Sequence, residues 1–344
     1  MVEGILIEGL IYGIMVLGVF ITFRVLNFAD MTVDGSFPLG AAIMAMALIK
    51  GLPPAAAMSF AFCGGLAAGF VTALIHTRLK IPDLLSGILT MTMLYSINLR
   101  VMNNRANISL LKVPTLFTQV SAWAGSFMPS QLAIVLLCLL VVIMIKLVLD
   151  LFFHTDFGLS LGALGANPQL VISQGMNPDV IKICGISLAN GLVAISGSFA
   201  AMYQGFADVQ LGSGMIVSGL ASLMIGEFLI RSNKVSSLTL RVLLGSILYR
   251  ALMYLARNYG YYIHMTANDL KLITGLLIII CIIVSRHGFR AGLPQKNIFK
   301  KIDSVSDFIK TEPFKGDTKK SEQVSSEQVP SKQASLQGAG HDSS

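Results

Sequence analysis

The feature that most constrains this chain is its series of long apolar segments. The hydrocarbon core of a bilayer is about 30 Å thick, so an α-helix needs about 20 apolar residues to cross it. Segments of roughly this length occupy residues 4–23, 28–49, 55–75, 81–99, 131–152, 180–203, 215–230, 237–257 and 268–285. They predict an all-α, polytopic membrane bundle with about nine spans, in a range of about eight to ten.

The charged residues divide the chain into two parts. Only 12% of the residues are charged, against roughly 25% in soluble domains. Residues 1–285 contain 15 Lys/Arg and 11 Asp/Glu, whereas the last 59 residues contain 10 and 7. We therefore expect a membrane domain over residues 1–290. The polar tail, residues 291–344, has too little apolar surface to offset the entropy of ordering, so we expect it to be disordered.

Basic residues predict the orientation of the spans, because Lys and Arg are enriched in cytoplasmic loops. Arg286 and Arg290 follow the last span, which indicates a cytoplasmic C-terminus. Nine spans then place the N-terminus outside, whereas eight or ten would place it inside. The first span begins with Glu3 and Glu8 and is not preceded by a basic region. We therefore expect it to be retained as a membrane helix and not to be a cleaved signal peptide. The net charge of +7 reflects the bias towards cytoplasmic Lys and Arg, and nucleic acid is not an expected partner.

Two long segments separate the spans, one on each side of the membrane in this orientation. Residues 100–130 face outside and residues 153–180 face inside. The inner segment has apolar residues at helical spacing, Leu159, Leu161 and Leu164, followed by turn signals at 166–168, 175 and 177–178. We interpret it as one or two short helices at the cytoplasmic surface, although an ordinary connector fits the pattern equally well.

A short motif occurs twice. Residues 28–36 read FADMTVDGS, residues 206–213 read FADVQLGS, and each leads into an apolar run interrupted by glycine. Five spans separate the two runs, so they cross the membrane in opposite directions. This pattern indicates an inverted repeat with broken helices near 28–40 and 206–220, a device that transporters use to build their solute path.

Polar residues in these motifs are the candidate site. They are Asp30, Thr32, Asp34, Gly35, Ser36, Asp208, Gly212 and Ser213. A carboxylate in hydrocarbon is costly unless it is paired, caps a helix or is wet. Each acid therefore caps the helix that follows it, pairs with a basic residue, or lines the solute path. Thr32 and Ser36 could cap the helix in the same way. For Glu227 the expected partner is Arg231, four residues on.

Motifs for catalysis and metal binding are missing from the sequence. It contains no GxxxxGK[ST], HExxH or CxxC pattern. The four cysteines lie in apolar runs without paired spacing, and the five histidines are scattered. We therefore expect neither an enzyme nor a bound metal or cofactor.

Three motifs together resemble the permease subunit of bacterial ABC importers, in the branched-chain amino acid/ribose-type superfamily and its amino-acid branch. They are NFADMTVDGSFPLGAA (27–42), GLSLGALGANPQLVISQGMN (158–177) and SLANGLVAISGSFAAMYQGFADVQLGSGMIVSGLASLMIGE (187–227). The resemblance extends from about residue 4 to 285. An ion-coupled secondary transporter would share the inverted repeat and is the alternative.

The resemblance implies a dimer of two such permease chains, alike or different, in the bacterial plasma membrane. It also implies two cytoplasmic ABC ATPase subunits and an extracytoplasmic solute-binding protein that delivers a small solute, expected to be an amino acid. The inner segment would be the loop that couples to the ATPase, with Gly158, Leu161, Gly165, Asn167 and Gly175 matching its pattern. Gly162 stands where this family is expected to have an arginine.

Overall fold

The computed structural model describes residues 2–125, 128–229 and 235–260, together with Leu272, Gly275, Leu276 and Ile279. Its helices are α1 Val2–Val19, continued by a π-helical turn over Phe20–Val25, then α2 Val33–Ile49, α3 Pro54–Leu79, α4 Asp83–Val101, α5 Leu116–Ala124, α6 Ser130–His154, α7 Asp156–Ala166, α8 Pro168–Ser173, α9 Pro178–Gln204, α10 Met215–Leu229 and α11 Val235–Gly260. The predicted span 268–285 lies almost wholly outside the described residues, and the predicted tail lies wholly outside them.

Seven helices in the described part of the chain are long and apolar enough to cross a membrane. They are Val2–Val25, Pro54–Leu79, Asp83–Val101, Ser130–His154, Pro178–Gln204, Val209–Leu229 and Ser237–Asn258. The remaining apolar helix, Val33–Ile49, is shorter. The predicted segment 28–49 was therefore too long at its start, because the chain turns before Val33 and only then becomes helical.

A small sheet corrects the all-α prediction. Strand β1 (Asn107–Ser109) pairs antiparallel with strand β2 (Phe206–Asp208), and Asn107 lies opposite Asp208. Each strand has only three residues, too few to give the alternating pattern by which strands are recognised in a sequence. The sheet ties the segment after α4 to the segment after α9.

Helix α9 is the centre of the bundle and packs most extensively against α3, α2 and α1. Small residues allow these helices to approach closely. A Cβ atom at Gly69 of α3 would come within 2.5 Å of the Ile186 carbonyl oxygen of α9. Gly40 of α2 lies against the Ala194 backbone, and the Ser198 hydroxyl donates to the Gly40 carbonyl at 3.0 Å. Helix α2 is thus fixed along α9, and this contact positions the candidate site.

Candidate functional site

The segment from residue 26 to 32, which we call the first break, joins the π-helical turn to α2. Asn27 has a φ of +54°, in the left-handed region, which reverses the chain direction after the turn. The Phe28 amide donates to the Thr22 carbonyl at 2.9 Å, and its ring is buried. The Ala29 amide donates to Oδ2 of Asp83 at 3.1 Å, at the start of α4. The break is therefore a defined turn, fastened to two neighbouring helices.

Asp30 is 1% exposed, and neutral donors hold its carboxylate. Oδ1 accepts the Thr32 amide at 2.9 Å, and Oδ2 accepts Nδ2 of Asn190 at 2.7 Å. Oδ1 of Asn190 in turn accepts the Ser36 hydroxyl at 2.6 Å. Asp30 forms no ion pair with any residue that the structure describes. Asp30 therefore holds the turn that precedes α2, and the Asn190 side chain links that turn to α9.

The predicted caps on α2 need a correction. Thr32 is the residue before the helix, but its side chain makes no capping hydrogen bond. The Thr32 hydroxyl instead lies 2.7 Å from the Thr72 hydroxyl of α3, and the Ser36 hydroxyl reaches Asn190. Both side chains are fully buried between helices. Their hydroxyl groups are satisfied by neighbouring helices, and they help to fix α2 against α3 and α9.

The segment from residue 205 to 214, which we call the second break, joins α9 to α10. Gly205, with a φ of +76°, ends α9. The carboxylate of Asp208 accepts the Gln210 amide at 2.7 Å, the same turn that Asp30 makes with Thr32. Its other oxygen accepts Nδ2 of Asn107 at 3.1 Å. Asp208 therefore stabilises β2 and the 3₁₀ turn Val209–Gly212 that follows, and does not join the Asp30 network.

Asp34, in the first turn of α2, contacts the second break and the start of α10. Its carboxylate accepts the Gly214 amide at 3.0 Å and the Ile216 amide at 2.8 Å, which are donors at the start of α10 that the helix itself leaves unpaired. A Cβ atom at Gly212 would overlap the Asp34 carbonyl oxygen. Capping of its own helix was one of the three roles expected of Asp34. Asp34 caps α10 instead, so α2 and α10 are held together by one side chain and one glycine.

An open cavity of about 330 Å³ lies beside this junction. It is lined by Asp34, Gly35, Pro38, Met91, Tyr95, Asn98, Val209, Gln210 and Ser213. Gly35 is required for close packing here, since a Cβ atom would come within 2.9 Å of Leu94. The sequence indicated Asp34, Gly35 and Ser213. It missed the residues of α4, which belong to an otherwise ordinary apolar span.

The predicted inner segment contains two short helices, as expected, namely α7 and α8. Three of its predicted residues hold α7 on the bundle rather than facing outward. A Cβ atom at Gly165 would overlap the Val25 carbonyl oxygen, one at Gly158 would overlap the Phe152 carbonyl oxygen, and Leu161 is fully buried. The side chain of Asn167 caps α8 by accepting the Gln169 amide at 3.0 Å, and Gly175, with a φ of +77°, forms the turn towards α9.

The outer surface of α7 and α8 consists of residues that were not in the predicted coupling set. Leu159, Leu170 and Ile172 are 60%, 50% and 51% exposed. Gly162 has nothing within 4 Å of the position that its Cβ would occupy. These side chains form an exposed apolar surface on this connecting segment. The signal that would have identified this surface is the exposure of apolar side chains in the folded segment. That exposure depends on tertiary packing and is not visible in the sequence.

Glu227, near the end of α10, has other partners than the one expected. Its Oε1 lies 2.9 Å from Nε of Arg24 and 3.2 Å from Nη2 of Arg241. The expected partner, Arg231, lies outside the described residues. One carboxylate therefore links the π-helical turn, α10 and α11, and this contact fixes the end of α10 opposite to the Asp34 cap.

Known proteins resemble this chain along most of its length. The model of the family "Branched-chain amino acid transport system / permease component" matches residues 1–283. A protein of Clostridioides difficile named "Tyrosine transport system permease protein" is 42% identical over 80% of this chain and 88% of its own. An uncharacterised protein of Rickettsia prowazekii is 31% identical over 77% of this chain and 91% of its own.

A more distant relative is the "Autoinducer 2 import system permease protein LsrC" of Yersinia enterocolitica, 27% identical over 57% of this chain and 52% of its own. The family model covers both breaks, the cavity and the α7–α8 segment. The observed helices thus belong to a multi-pass membrane protein that serves transport and is not an enzyme. The chain is a member of the family of permease components of branched-chain amino acid transport systems, which are ABC-type transporters.

Proposed function

We propose that this chain forms the translocation path of an ABC importer for an amino acid, with an aromatic or branched-chain amino acid as the solute. The family description names branched-chain amino acids, and the Clostridioides relative is named for tyrosine. The word import stands in the name of the Yersinia relative. The path runs along the two breaks and the cavity beside Asp34, where helix ends and polar groups lie inside an apolar bundle.

The observation that carries this proposal is the placement of α7 and α8. Gly165 fastens α7 directly to Val25, which immediately precedes the first break, while Leu159, Leu170 and Ile172 face away from the bundle. An ABC ATPase needs such a segment, because it must exert force on the membrane helices through a surface contact. We assign the surface formed by Leu159, Leu170 and Ile172 to the ATPase contact. Gly162 has no side chain and contributes no charged contact to this surface.

The contacts suggest how movement would reach the path. ATP binding closes the two ATPase subunits and draws the two α7–α8 segments of the permease dimer together. Gly165 transmits this displacement to Val25 and the first break, and the Asp30–Asn190–Ser36 hydrogen bonds link the break to α2 and α9. Helix α2 then carries Asp34 and the start of α10 with it. Opening and closing the contact of Asp34 with Gly212 would switch access to the cavity.

The matching turns at Asp30 and Asp208 support an inverted repeat as the basis of this arrangement. Each carboxylate accepts the amide two residues later, at 2.9 and 2.7 Å. We assign the C-terminus and the α7–α8 segment to the cytoplasm and the N-terminus to the outside of a bacterial plasma membrane. A second permease chain, alike or different, two ATPase subunits and a solute-binding protein that docks outside complete the transporter.

Purification from native membranes tests this proposal. We expect an ABC ATPase to co-purify with the chain, and uptake of L-tyrosine or L-leucine into vesicles to require ATP inside and the solute-binding protein outside. The alternative of an ion-coupled transporter predicts uptake driven by an ion gradient in vesicles depleted of ATP. Uptake under that condition, without a co-purifying ATPase, would contradict the proposal.

A further inference from the structure

The cavity beside Asp34 contains one negative charge and, among its described lining residues, no positive one. The Asp34 carboxylate accepts the backbone amides of Gly214, Met215 and Ile216, and its two oxygens have about four acceptor sites, so a further donor can bind. The lining contains no lysine, arginine or histidine. A ligand that enters this cavity with a donor group and a positive charge would complement it, whereas a carboxylate would meet only like charge.

Asn98 gives a second, independent indication of a ligand. It lines the cavity and is 1% exposed. Its Nδ2 donates to the Gly35 carbonyl at 3.2 Å, but its buried Oδ1 has no hydrogen-bond partner in the described part of the chain. A buried acceptor without a donor is costly, and most such groups in folded proteins have partners. The free acceptor and the Asp34 carboxylate lie in the lining of one cavity.

The rest of the lining is suited to an apolar body. Met91, Pro38 and Val209 present aliphatic surface, and Tyr95 presents an aromatic ring that is 49% exposed. Ligand sites combine such surface with a few polar groups that fix orientation. A sugar would need several paired hydroxyl partners and gains nothing from the charge. A primary amine with an apolar or aromatic body uses every feature of the cavity.

We infer that this cavity receives the ammonium end of the solute, with Asp34 and the Asn98 carbonyl oxygen as its acceptors and the Met91–Tyr95 surface of α4 against its apolar body. The inference rests on the proposed function and deepens it, because it assigns the recognised chemical group and the residues that recognise it. The solute carboxylate is left facing the cavity mouth.

A pair of half-solutes tests the inference without transport. Tyramine carries the ammonium group and no carboxylate, and 3-(4-hydroxyphenyl)propionate carries the carboxylate and no ammonium group. Their dissociation constants are measured on the assembled permease–ATPase complex in nanodiscs, without the solute-binding protein. We expect Asp34→Asn to weaken tyramine binding about tenfold, the effect of one charge-assisted hydrogen bond. The same change should leave propionate binding equal or tighter, since a repulsive charge is removed.

Comparison of the two compounds separates recognition from structure. If Asp34 only caps α10, Asp34→Asn changes the affinity for both compounds by the same factor, and the inference is overturned. Asn98→Leu keeps the Asp34 cap and should also weaken tyramine selectively, which covers the case in which Asp34→Asn does not fold. Glu3→Gln, a charge removal in the first turn of α1, is the control and should alter neither affinity. If uptake depends on ATP but neither Asp34→Asn nor Asn98→Leu weakens tyramine binding selectively, this inference is refuted and the proposed function still stands.

Discussion

Replacement of Asn190 by alanine is expected to be among the most destabilising single substitutions in this chain. It removes the Nδ2 group that donates to Asp30 at 2.7 Å and the Oδ1 group that accepts from Ser36 at 2.6 Å. Asp30 is 1% exposed, so its carboxylate would keep a buried charge with Thr32 alone supplying donors. We expect a loss of about 3 kcal/mol of stability, measured as a lower thermal unfolding temperature of the purified complex.

A double-mutant cycle identifies the cause of that loss. In an Asp30→Asn background there is no charge to leave unpaired, so Asn190→Ala should cost clearly less than in the native chain. A coupling of at least about 1 kcal/mol between the two positions is expected for groups in direct hydrogen-bonded contact. An equal cost of Asn190→Ala in both backgrounds would show that Asn190 acts through packing alone, and would contradict the network that links the first break to α9.

The second large effect is expected at Gly165, with Gly162 as its matched control on the same helix. Glycine to alanine in a helix is worth about 1 kcal/mol of stabilisation where space is open. Gly162→Ala should therefore stabilise the protein slightly and leave transport unchanged. Gly165→Ala inserts a methyl group where a Cβ would overlap the Val25 carbonyl oxygen. Because that neighbour is backbone, α7 must move away from the first break.

We expect Gly165→Ala to lower ATP-driven uptake at least about tenfold, since a displacement of about 1 Å of a positioning element has effects of this order. ATP hydrolysis by the assembled complex should continue without a matching uptake. The measurement is the ratio of solute imported to ATP hydrolysed in proteoliposomes. Equal ratios for Gly165→Ala and Gly162→Ala would contradict the role of α7 in transmitting movement.

The sequence predicts the spans well because their signal is local. Hydropathy depends on residues that are neighbours along the chain, and eight of the expected segments correspond to observed helices. The first break was placed inside a span because residues 28–32 are partly apolar. The chain turns there because the Asp30 carboxylate accepts the amide two residues later. In the sequence this signal is visible only as an aspartate, which has several possible roles.

The sequence predicted only part of the candidate site, because only some of its residues carry a local signal. Asp34 stood out as a charge in an apolar run, but its partner is the start of α10, about 180 residues further on. Asn98 and Tyr95 carry no local signal, since an occasional polar residue is common in a membrane helix. On α7 the sequence identified the glycines but did not show that they lie on the side of the helix that packs against the bundle. A helical pattern says which residues share a face, and only packing decides which face meets the bundle.

The central claim is that α7 and α8 lie in the cytoplasm and contact an ATPase, and site-directed labelling tests it most directly. Two single-cysteine variants are compared in a chain without its native cysteines. They are Ile172→Cys, 51% exposed on α8, and Leu111→Cys, 84% exposed beside the β1–β2 sheet. A membrane-impermeant maleimide is applied to intact cells and to inside-out vesicles.

We predict that intact cells show labelling at position 111 and none at position 172. In inside-out vesicles, position 172 should be labelled after the ATPase has been stripped and protected when it is bound, and a bifunctional reagent at this position should yield an adduct with the ATPase. Labelling of position 172 in intact cells, or equal labelling in vesicles with and without the ATPase, would contradict the account.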